Sequence, residues 1–368
     1  MKIGILSMQN VNNFGSVLQS YSLMRLLKAL GSDVSFIDVK AYADDDALLP
    51  NSCRLSINEA EKKGVIGKIS KIDRYAINRF RIKHTSKKQD ELFDEFREKY
   101  LEIEKRSEET DLCIIGSDEV FNCLTPSPWG FTSQLFGNVP NASHVITYAA
   151  SCGATSFEQL PRSVKNRITE VFSRVEGVSV RDKNTYEFIK NFTSNPIFEH
   201  LDPVLIGDFD GEVANAVLPE AFNTPYCLVY SYYNRFHKTE EIQKIKSFCK
   251  HRRLKIIAVG APQMWINDYY PLTPFEALKA FAKASFVVTD TFHGTIFSYK
   301  YSKRFAIIVR DSNRNKLMDL IDRLKLGDHL TDINCLENAF EVLHDAHSNK
   351  AFVEAERKKA ECYLQRYL

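Results

Sequence analysis

The sequence predicts an α/β protein built of two domains. Short apolar runs alternate with segments of helical periodicity, once in the first part of the chain and again after residue 225. This alternation is typical of parallel sheets whose strands are connected by helices. The chain has 368 residues, which is long for one hydrophobic core and fits two α/β domains. We therefore expect a first domain over residues 1–210 and a second over residues 211–368.

Composition and charge are those of an ordinary globular protein. The chain is 44% hydrophobic and 26% charged, and 49 Lys and Arg nearly balance 47 Asp and Glu, so no global field indicates a nucleic-acid partner. The eight cysteines are scattered without a Cys-x-x-Cys pair, which predicts a reducing compartment, no disulfide framework and no zinc site. Neither a signal peptide nor a membrane span is indicated, so we expect a cytoplasmic protein.

The first domain opens with a β-α-β unit. Residues Ile3–Met8 are expected to form a buried strand, Ser16 to cap the following helix, and Val34–Val39 to form the next strand. The loop between the first strand and the helix lacks the Gly-x-Gly-x-x-Gly pattern, which argues against a dinucleotide site. Further strands of this domain are predicted over residues 112–115, 144–150, 176–180 and 197–201.

Residues 41–110 interrupt this rhythm and are predicted to be a basic helical insertion. Between Glu61 and Asp90, ten Lys and Arg stand against three Asp and Glu, and apolar residues recur among them at helical spacing. The pattern fits a solvated helical insertion that packs one apolar stripe. It also fits a basic amphipathic helix that meets an anionic membrane surface or an anionic polymer. The second interpretation would place the protein peripherally at the inner face of the membrane.

The second domain repeats the pattern after a link over residues 207–225, which contains Gly and Pro. Its strands are predicted over residues 226–231, 254–259, 286–288 and 305–309. Its helices are predicted over residues 238–251, 274–284, 313–326, 336–347 and 350–368, with one more helix after Gly294.

Polar residues stand where several predicted strands end. In the first domain these are Ser117, Asp118, Ser151 and Arg181; in the second they are residues 289–295. Open α/β sheets bind anions at the carboxyl ends of their strands, where helix N-termini point into the crevice. The corner over residues 289–295 is therefore either an ordinary strand-to-helix turn or an anion site. In the second case, His293 would donate to a phosphate or move a proton.

Five strand-end motifs and a connecting tripeptide carry a resemblance to a known family. They are Asn12-Asn-Phe-Gly-Ser16, Gly116-Ser-Asp-Glu-Val-Phe-Asn122, Tyr148-Ala-Ala-Ser-Cys-Gly153, Ser179-Val-Arg181, Leu201-Asp-Pro203 and Thr289-Asp-Thr-Phe-His-Gly-Thr295. In this order and spacing they resemble the polysaccharide pyruvyl transferase family over nearly the whole chain except the insertion. The family usually has Gln and Trp where this chain has Glu119 and Phe121, Glu where it has Asp182, and Ser where it has Thr291.

The resemblance implies a glycosyltransferase-B-like fold, with two Rossmann-like domains facing each other across a cleft. The last helix of such folds commonly crosses back to the first domain. The resemblance also implies transfer of pyruvate from phosphoenolpyruvate to two hydroxyls of a sugar, which gives a cyclic ketal and free phosphate. Phosphoenolpyruvate is then a co-substrate and no cofactor is expected. The expected acceptor is a sugar or a lipid-linked oligosaccharide, bound on the first domain, with the donor on the second.

Each predicted site residue has an expected role. The donor is expected to contact Arg181, Thr291, Phe292, His293, Gly294 and Thr295, with its phosphate at the amides of residues 292–294. The acceptor side is expected to use Asn12, Asn13, Ser117, Asp118 and Ser151. His293 is the favoured general acid or leaving-group partner, since a histidine with an ordinary pKa of about 6.5 can work either way near neutrality. Asp118 is either the base for the acceptor or an orienting group, and Arg181 grips a phosphate or carboxylate.

Two other classes of protein fit the same architecture. A nucleotide-sugar glycosyltransferase is disfavoured because the second domain shows no obvious pattern of nucleotide-reading carboxylates. A non-catalytic sugar- or anion-binding protein is disfavoured because Arg181 and His293 are both present. A metal site formed by Glu341, His344 and His347 is a further alternative, but we interpret these residues as a solvated helix face.

Overall fold

The computed structural model of the protein describes residues 1–46, 48, 72–103, 109–124, 130–345 and 350–368. The strands are β1 (Lys2–Leu6), β2 (Asp33–Ile37), β3 (Thr110–Asp118), β4 (Ala142–Ala150), β5 (Val175–Val180), β6 (Ile197–Glu199), β7 (Tyr226–Tyr230), β8 (Lys255–Val259), β9 (Asp268–Tyr269), β10 (Phe286–Thr289) and β11 (Phe305–Ile307). They form a six-stranded sheet of order β2-β1-β3-β4-β5-β6 and a five-stranded sheet of order β11-β10-β7-β8-β9. Neighbouring strands in both sheets run parallel.

Helices connect the strands and cover the sheets. They are α1 (Phe14–Ala29), α2 (Ala43–Asp46), α3 (Ile72–Phe96), α4 (Arg162–Phe172), α5 (Lys183–Ile189), α6 (Pro203–Ile206), α7 (Asp210–Asn215), α8 (Thr239–His251), α9 (Pro274–Lys283), α10 (Phe292–Tyr301), α11 (Arg314–Leu324), α12 (Leu336–Glu341) and α13 (Lys350–Gln365). A π-helical turn, Arg97–Leu101, extends α3. No described helix is long and apolar enough to cross a membrane.

The predicted α/β architecture of two Rossmann-like domains facing across a cleft is confirmed. The central strands are buried on both faces, as parallel sheets covered by helices require. In β10, for example, Phe286, Val287 and Val288 are fully buried. The continuous apolar runs that predicted the strands therefore reflect packing on both sides of each sheet. Polar residues reappear where these strands end, and those ends border the cleft.

Two helices begin earlier than the sequence predicted. The side chain of Asn13, and not that of Ser16, caps α1 by accepting a hydrogen bond from the Gly15 amide at 2.8 Å. In the second domain, α10 begins at Phe292, before Gly294, and Thr291 is its cap. Asparagine and threonine both hold a side-chain oxygen where it can accept from the first free helix amides. Each cap therefore brings a helix N-terminus to the cleft.

The predicted insertion is described only in part. Residues 47 and 49–71 and the side chains of residues 72–81 lie outside the described part, so most of the basic stretch 61–90 cannot be compared with its prediction. The described end of α3 connects the two domains: Gln89 donates to the Leu272 carbonyl at 2.8 Å and accepts from the Leu272 amide at 3.0 Å. Arg97, in the π-helical turn, donates to the Gln9 carbonyl at 2.8 Å.

Helix α13, the last in the chain, packs against the first sheet. The Tyr363 hydroxyl donates to the Thr147 carbonyl of β4 at 2.9 Å, and its ring lies 4.8 Å from that of His200. Tyr363 itself is buried. The chain thus ends on the domain in which it began.

Candidate active site

The turn between β10 and α10 places His293 in the cleft. Thr291 Oγ1 accepts a hydrogen bond from the Gly294 amide at 3.0 Å and so begins the helix. Gly294 packs closely beneath this turn, because a Cβ atom there would lie 2.1 Å from Thr289 Oγ1. His293 consequently occupies the first turn of α10, with its ring largely buried.

Asp202 joins His293 to Arg181. Arg181 Nη1 donates to Asp202 Oδ2 at 2.7 Å, and His293 Nε2 lies 3.5 Å from the same oxygen. The other oxygen, Oδ1, accepts from the Val204 amide at 3.0 Å and caps α6. Arg181 and Asp202 follow strands of the first domain, whereas His293 belongs to the second. The three side chains therefore form one cluster across the domain boundary.

The Arg181–Asp202 pair is ionised and desolvated. The side chain of Asp202 is 0% exposed and that of Arg181 is 3% exposed. Burial by itself would raise the pKa of Asp202, but its contact with His293 and the charges of His293 and Arg181 outweigh burial and hold that pKa well below its usual range. Burial likewise acts to lower the pKa of Arg181, and the carboxylates of Asp202, Asp118 and Asp182 raise it overall. Both groups keep their charge over the physiological range.

Two nitrogens of this cluster are buried without a hydrogen-bond partner among the described residues: Arg181 Nε and His293 Nε2. Buried polar atoms in native proteins are nearly always hydrogen-bonded. Two unpaired nitrogens in one cluster therefore indicate a site that binds a ligand. The separation of 3.5 Å between His293 Nε2 and Asp202 is long for a hydrogen bond. The cluster thus has hydrogen-bonding capacity for a bound oxygen anion.

Aromatic rings fix the orientation of both side chains. The Arg181 guanidinium lies over the Phe292 ring at 4.1 Å from its centroid, a cation–π arrangement that suits a planar cation. The His293 ring is inclined by 28° to that of Phe297, with the centroids 6.1 Å apart. Gly15 of α1 closes the other side, because a Cβ atom there would lie 2.0 Å from His293 Nδ1.

We expect the Gly15→Ala variant to lose at least about tenfold in the rate of the reaction. The added methyl group must displace the His293 ring, and misplacement of a catalytic group by about 1 Å costs up to about a hundredfold. Turnover and thermal unfolding are to be measured in parallel. Gly211→Ala is the matched control, because a Cβ atom at Gly211 meets nothing within 4 Å.

A second substitution identifies the cause of that loss. Gly15→Ala made in a His293→Ala background is expected to cost no further activity, because the two changes then act on the same group. An additional tenfold loss in the double variant would mean that Gly15 acts through something other than the position of His293.

Asp118 stands at the end of β3 and faces the cleft. Its backbone is in the left-handed region, with φ of 70°, and its Oδ2 accepts from Ser16 Oγ at 2.7 Å. The negative charge of Asp118 raises the pKa of both Arg181 and Tyr232. The structure therefore brings Asp118 to the Arg181 cluster and holds it on the first turn of α1.

The remaining predicted residues lie around this cluster. Ser117 is buried and its hydroxyl lies 3.3 Å from Asp202 Oδ2, while Ser151 Oγ donates to Asp182 Oδ2 at 2.7 Å. Asn12 donates to Asp90 Oδ1 at 2.7 Å. The hydroxyl of Thr295 donates to the Thr291 carbonyl at 3.0 Å. Ser117 thus touches the cluster directly, whereas the hydrogen bonds of Ser151 and Thr295 are made to neighbouring strand ends and turns.

A cavity of about 120 Å³ lies beside the cluster, between the two domains. Asn12 and Asn13 line it from the first domain, and Tyr232, Thr291 and His293 line it from the second. Residues predicted for the acceptor and residues predicted for the donor therefore share one cavity.

Sequence reasoning missed several residues of the site. Asp202 was noted only within a motif, although an Asp-Pro pair after a strand is a recognisable helix start. Asp290 lies in the predicted corner over residues 289–295, but its ion pairs with Arg235 and Arg310, at 3.3 and 3.1 Å, were not predicted; its side chain is fully buried. Lys316 reaches the cleft from α11, and no local pattern marks it. Pairing of this kind depends on contacts across domains, which a linear sequence does not show.

Among the residues that the structure describes, no group of three or more His, Cys, Asp or Glu side chains is arranged to hold a metal ion. His344 Nε2 lies 2.8 Å from the Tyr299 carbonyl. His347 lies outside the described residues.

Two Rossmann-like domains that face each other across a cleft give the chain a glycosyltransferase-B-like fold. A sequence model of the family "polysaccharide pyruvyl transferase" matches residues 13–312, and the chain belongs to that family. No match to a curated protein sequence was found.

Solved structures share the fold at low sequence identity. UDP-N-acetylglucosamine 2-epimerase from Rickettsia bellii superposes with a TM-score of 0.53 at 11% identity, over 100% of this chain and 96% of that chain. S. aureus MnaA in complex with UDP gives a TM-score of 0.45 at 10% identity, over 98% of this chain and 90% of that chain. The glycosyltransferase SsfS6 from Streptomyces sp. SF2575, complexed with thymidine diphosphate, gives a TM-score of 0.42 at 11% identity, over 100% of this chain and 96% of that chain. At such identities the likeness concerns the fold alone.

Proposed function

We propose that the protein transfers pyruvate from phosphoenolpyruvate to two hydroxyls of a sugar, in a polysaccharide or its lipid-linked precursor. Membership of the family supports a transferase. The observation that carries the proposal is the buried Arg181–Asp202–His293 cluster, in which Arg181 Nε and His293 Nε2 have no hydrogen-bond partner among the described residues. A cation and an imidazole at one buried point suit a substrate that carries an anion and must also receive a proton.

The reaction sets the requirements of the site. The methylene carbon of phosphoenolpyruvate takes a proton and becomes a methyl group, which leaves the neighbouring carbon electrophilic. One sugar hydroxyl adds to that carbon, the bond to the phosphate oxygen breaks, and the second hydroxyl closes the ketal. Of the two hydroxyl protons released, one balances the proton taken by the methyl group and the other leaves with phosphate. The site must therefore bind two anionic groups, accept a proton from each hydroxyl, and supply one proton to the methylene carbon and one to the phosphate.

On the donor side, Arg181 and α10 bind the anions. The Gly294 amide already donates to Thr291 Oγ1, so we assign the phosphate to the amides of Phe292 and His293 at the helix N-terminus. Arg181 contributes its Nε–H to phosphate or carboxylate. His293 delivers the proton to the methylene carbon or to the leaving phosphate, and Asp202 is a positioning residue for both His293 and Arg181.

On the acceptor side, Asp118 is the proposed base. Its carboxylate is held by Ser16, and Asn12 and Asn13 line the adjoining cavity, where side-chain amides suit sugar hydroxyls. Ser117 and Ser151 lie behind these residues, where their hydroxyls contact Asp202 and Asp182. A carboxylate at this position can accept a hydroxyl proton in the transition state.

One assay separates this function from its alternatives. The protein is incubated with phosphoenolpyruvate and lipid-linked or nucleotide-linked sugars, and phosphate release is followed together with the mass of the product. We expect phosphate release coupled to a ketal-sized mass gain on the sugar. Sugar transfer from a nucleotide donor would indicate a glycosyltransferase instead, and saturable binding without turnover would indicate a binding protein.

A further inference from the structure

Lys316 is a buried cation that reaches across the cleft. It lies in the first turn of α11, in the second domain and beyond the residues that match the family model. Its Nζ contacts Glu119 Oε1 of the first domain, and its side chain is only 11% exposed. The positive end of the helix dipole disfavours a lysine in a first turn, and burial disfavours its charge. Helix stability therefore does not account for this position.

Glu119 holds Lys316 in its charged form. Glu119 follows Asp118 directly, and its Oε2 accepts from Asn122 Nδ2 at 2.7 Å. Burial acts to raise the pKa of Glu119, but the charge and contact of Lys316 and the Asn122 hydrogen bond outweigh it and lower that pKa to about 2. For Lys316, burial acts to lower the pKa, and Glu119 is the principal group that raises it overall. Both partners are consequently ionised at neutral pH.

The pair lies beside the candidate active site. The charge of Lys316 acts on Arg181 and on Tyr232, and Tyr232 lines the cavity that also contains His293. The cleft thus presents two largely buried cations, Arg181 from the first domain and Lys316 from the second. Arg181 Nη1 already donates to Asp202. The remaining donors of Arg181 therefore suit only one of the two anionic groups of the proposed donor.

We propose that Lys316 binds the second anionic group of phosphoenolpyruvate, and that Glu119 occupies Lys316 until the donor arrives. This inference rests on the proposed function. Replacing one anionic partner by another keeps the lysine paired throughout, so the exchange avoids the large penalty of an isolated buried charge at Lys316. Because Lys316 and Glu119 come from different domains, the donor would take over an ion pair that already spans the cleft.

Two substitutions with opposite expected signs test the proposal. Lys316→Met removes the cation and is expected to raise the KM for phosphoenolpyruvate at least about tenfold, with a smaller change in kcat. Glu119→Gln keeps the size of the side chain but removes the competing carboxylate. We expect it to lower KM, and to increase the thermal shift produced by phosphoenolpyruvate, because the ligand then neutralises an otherwise unpaired lysine.

The control and the contrary outcomes keep the test decisive. Lys303→Met, at an exposed lysine of the same domain, should leave KM unchanged, and Lys316→Arg should retain most of the donor affinity. If the pair served only to hold the domains together, Lys316→Met and Glu119→Gln would change KM in the same direction, and that result would overturn the inference.

Direct titration with phosphoenolpyruvate separates the two levels of the proposal and does not require turnover. If the wild-type protein binds phosphoenolpyruvate and Lys316→Met binds it equally well, the role of Lys316 is refuted while the proposed function stands. If the wild-type protein neither binds phosphoenolpyruvate nor releases phosphate from it, the proposed function itself fails.

Discussion

The His293→Ala variant is expected to release phosphate from phosphoenolpyruvate about 10²- to 10⁴-fold more slowly than the wild-type protein, the range associated with loss of a general acid or base. The imidazole is largely buried between Phe292, Phe297 and the backbone of Gly15, so bulk water has poor access to replace it. The loss should fall mainly on kcat, because the proton moves only in the transition state. Steady-state phosphate release and titration with phosphoenolpyruvate measure the two effects separately.

His344→Ala is a suitable control for the removal of a partly buried histidine. His344 lies near the other end of α10, where its Nε2 contacts the Tyr299 carbonyl at 2.8 Å. Both substitutions disturb packing on the same helix, but only His293→Ala changes the cleft. We expect His344→Ala to retain turnover within about threefold of wild type at a temperature where both variants are folded. Turnover of His293→Ala near the wild-type rate would remove His293 from the mechanism.

Much of the fold was predictable because the strands of parallel sheets have a recognisable sequence pattern. Strands buried on both faces give continuous apolar runs, as in β7 and β10, and the polar residues that interrupt those runs mark the strand ends. Since the carboxyl ends of parallel strands share one edge of a sheet, the sequence alone predicts that Arg181, Asp118 and Ser117 lie close together. His293 followed from the same rule applied to the second sheet.

Features that depend on pairing across the chain were not predictable. Asp202 caps a short helix, as its sequence context allows, but its contact with Arg181 and His293 requires the two domains to be placed against each other. The Glu119–Lys316 pair joins residues in different domains, and no periodicity relates them. The helix caps at Asn13 and Thr291 depend on local competition among neighbouring polar residues, which sequence propensity resolves poorly.

The Asp202→Asn variant is expected to show the largest loss of stability among these substitutions. Asparagine retains an oxygen for the Val204 amide, so the cap on α6 survives. The charge is lost, however, and Arg181, which is 3% exposed, loses the carboxylate that accepts its hydrogen bond. Removing one partner of a buried ion pair costs about 3–5 kcal/mol of unfolding free energy. Denaturant unfolding at pH 7 measures this difference.

Asp182→Asn is the matched control. Asp182 is also buried and also caps a helix, by accepting from the Thr185 amide at 2.9 Å. Its second oxygen, however, accepts from the hydroxyl of Ser151 and not from Arg181. An asparagine at position 182 therefore removes a charge near Arg181 but leaves the hydrogen bond from Arg181 to Asp202 intact. We expect a loss well below that of Asp202→Asn, and similar losses in the two variants would mean that the ion pair contributes nothing specific.

The pH dependence distinguishes loss of the ion pair from a simple packing defect. Because the pKa of Asp202 in the folded protein lies below its ordinary value of 3.8, the stabilisation by its carboxylate is fully present above about pH 4 and is lost as the pH falls further. The wild-type protein then approaches the variant, because below about pH 4 the unfolded chain binds a proton at Asp202 that the folded protein binds only at a lower pH. The difference in unfolding free energy between wild type and Asp202→Asn should therefore shrink below about pH 4. A difference that stayed constant with pH would show that asparagine disturbs the site through packing and not through charge.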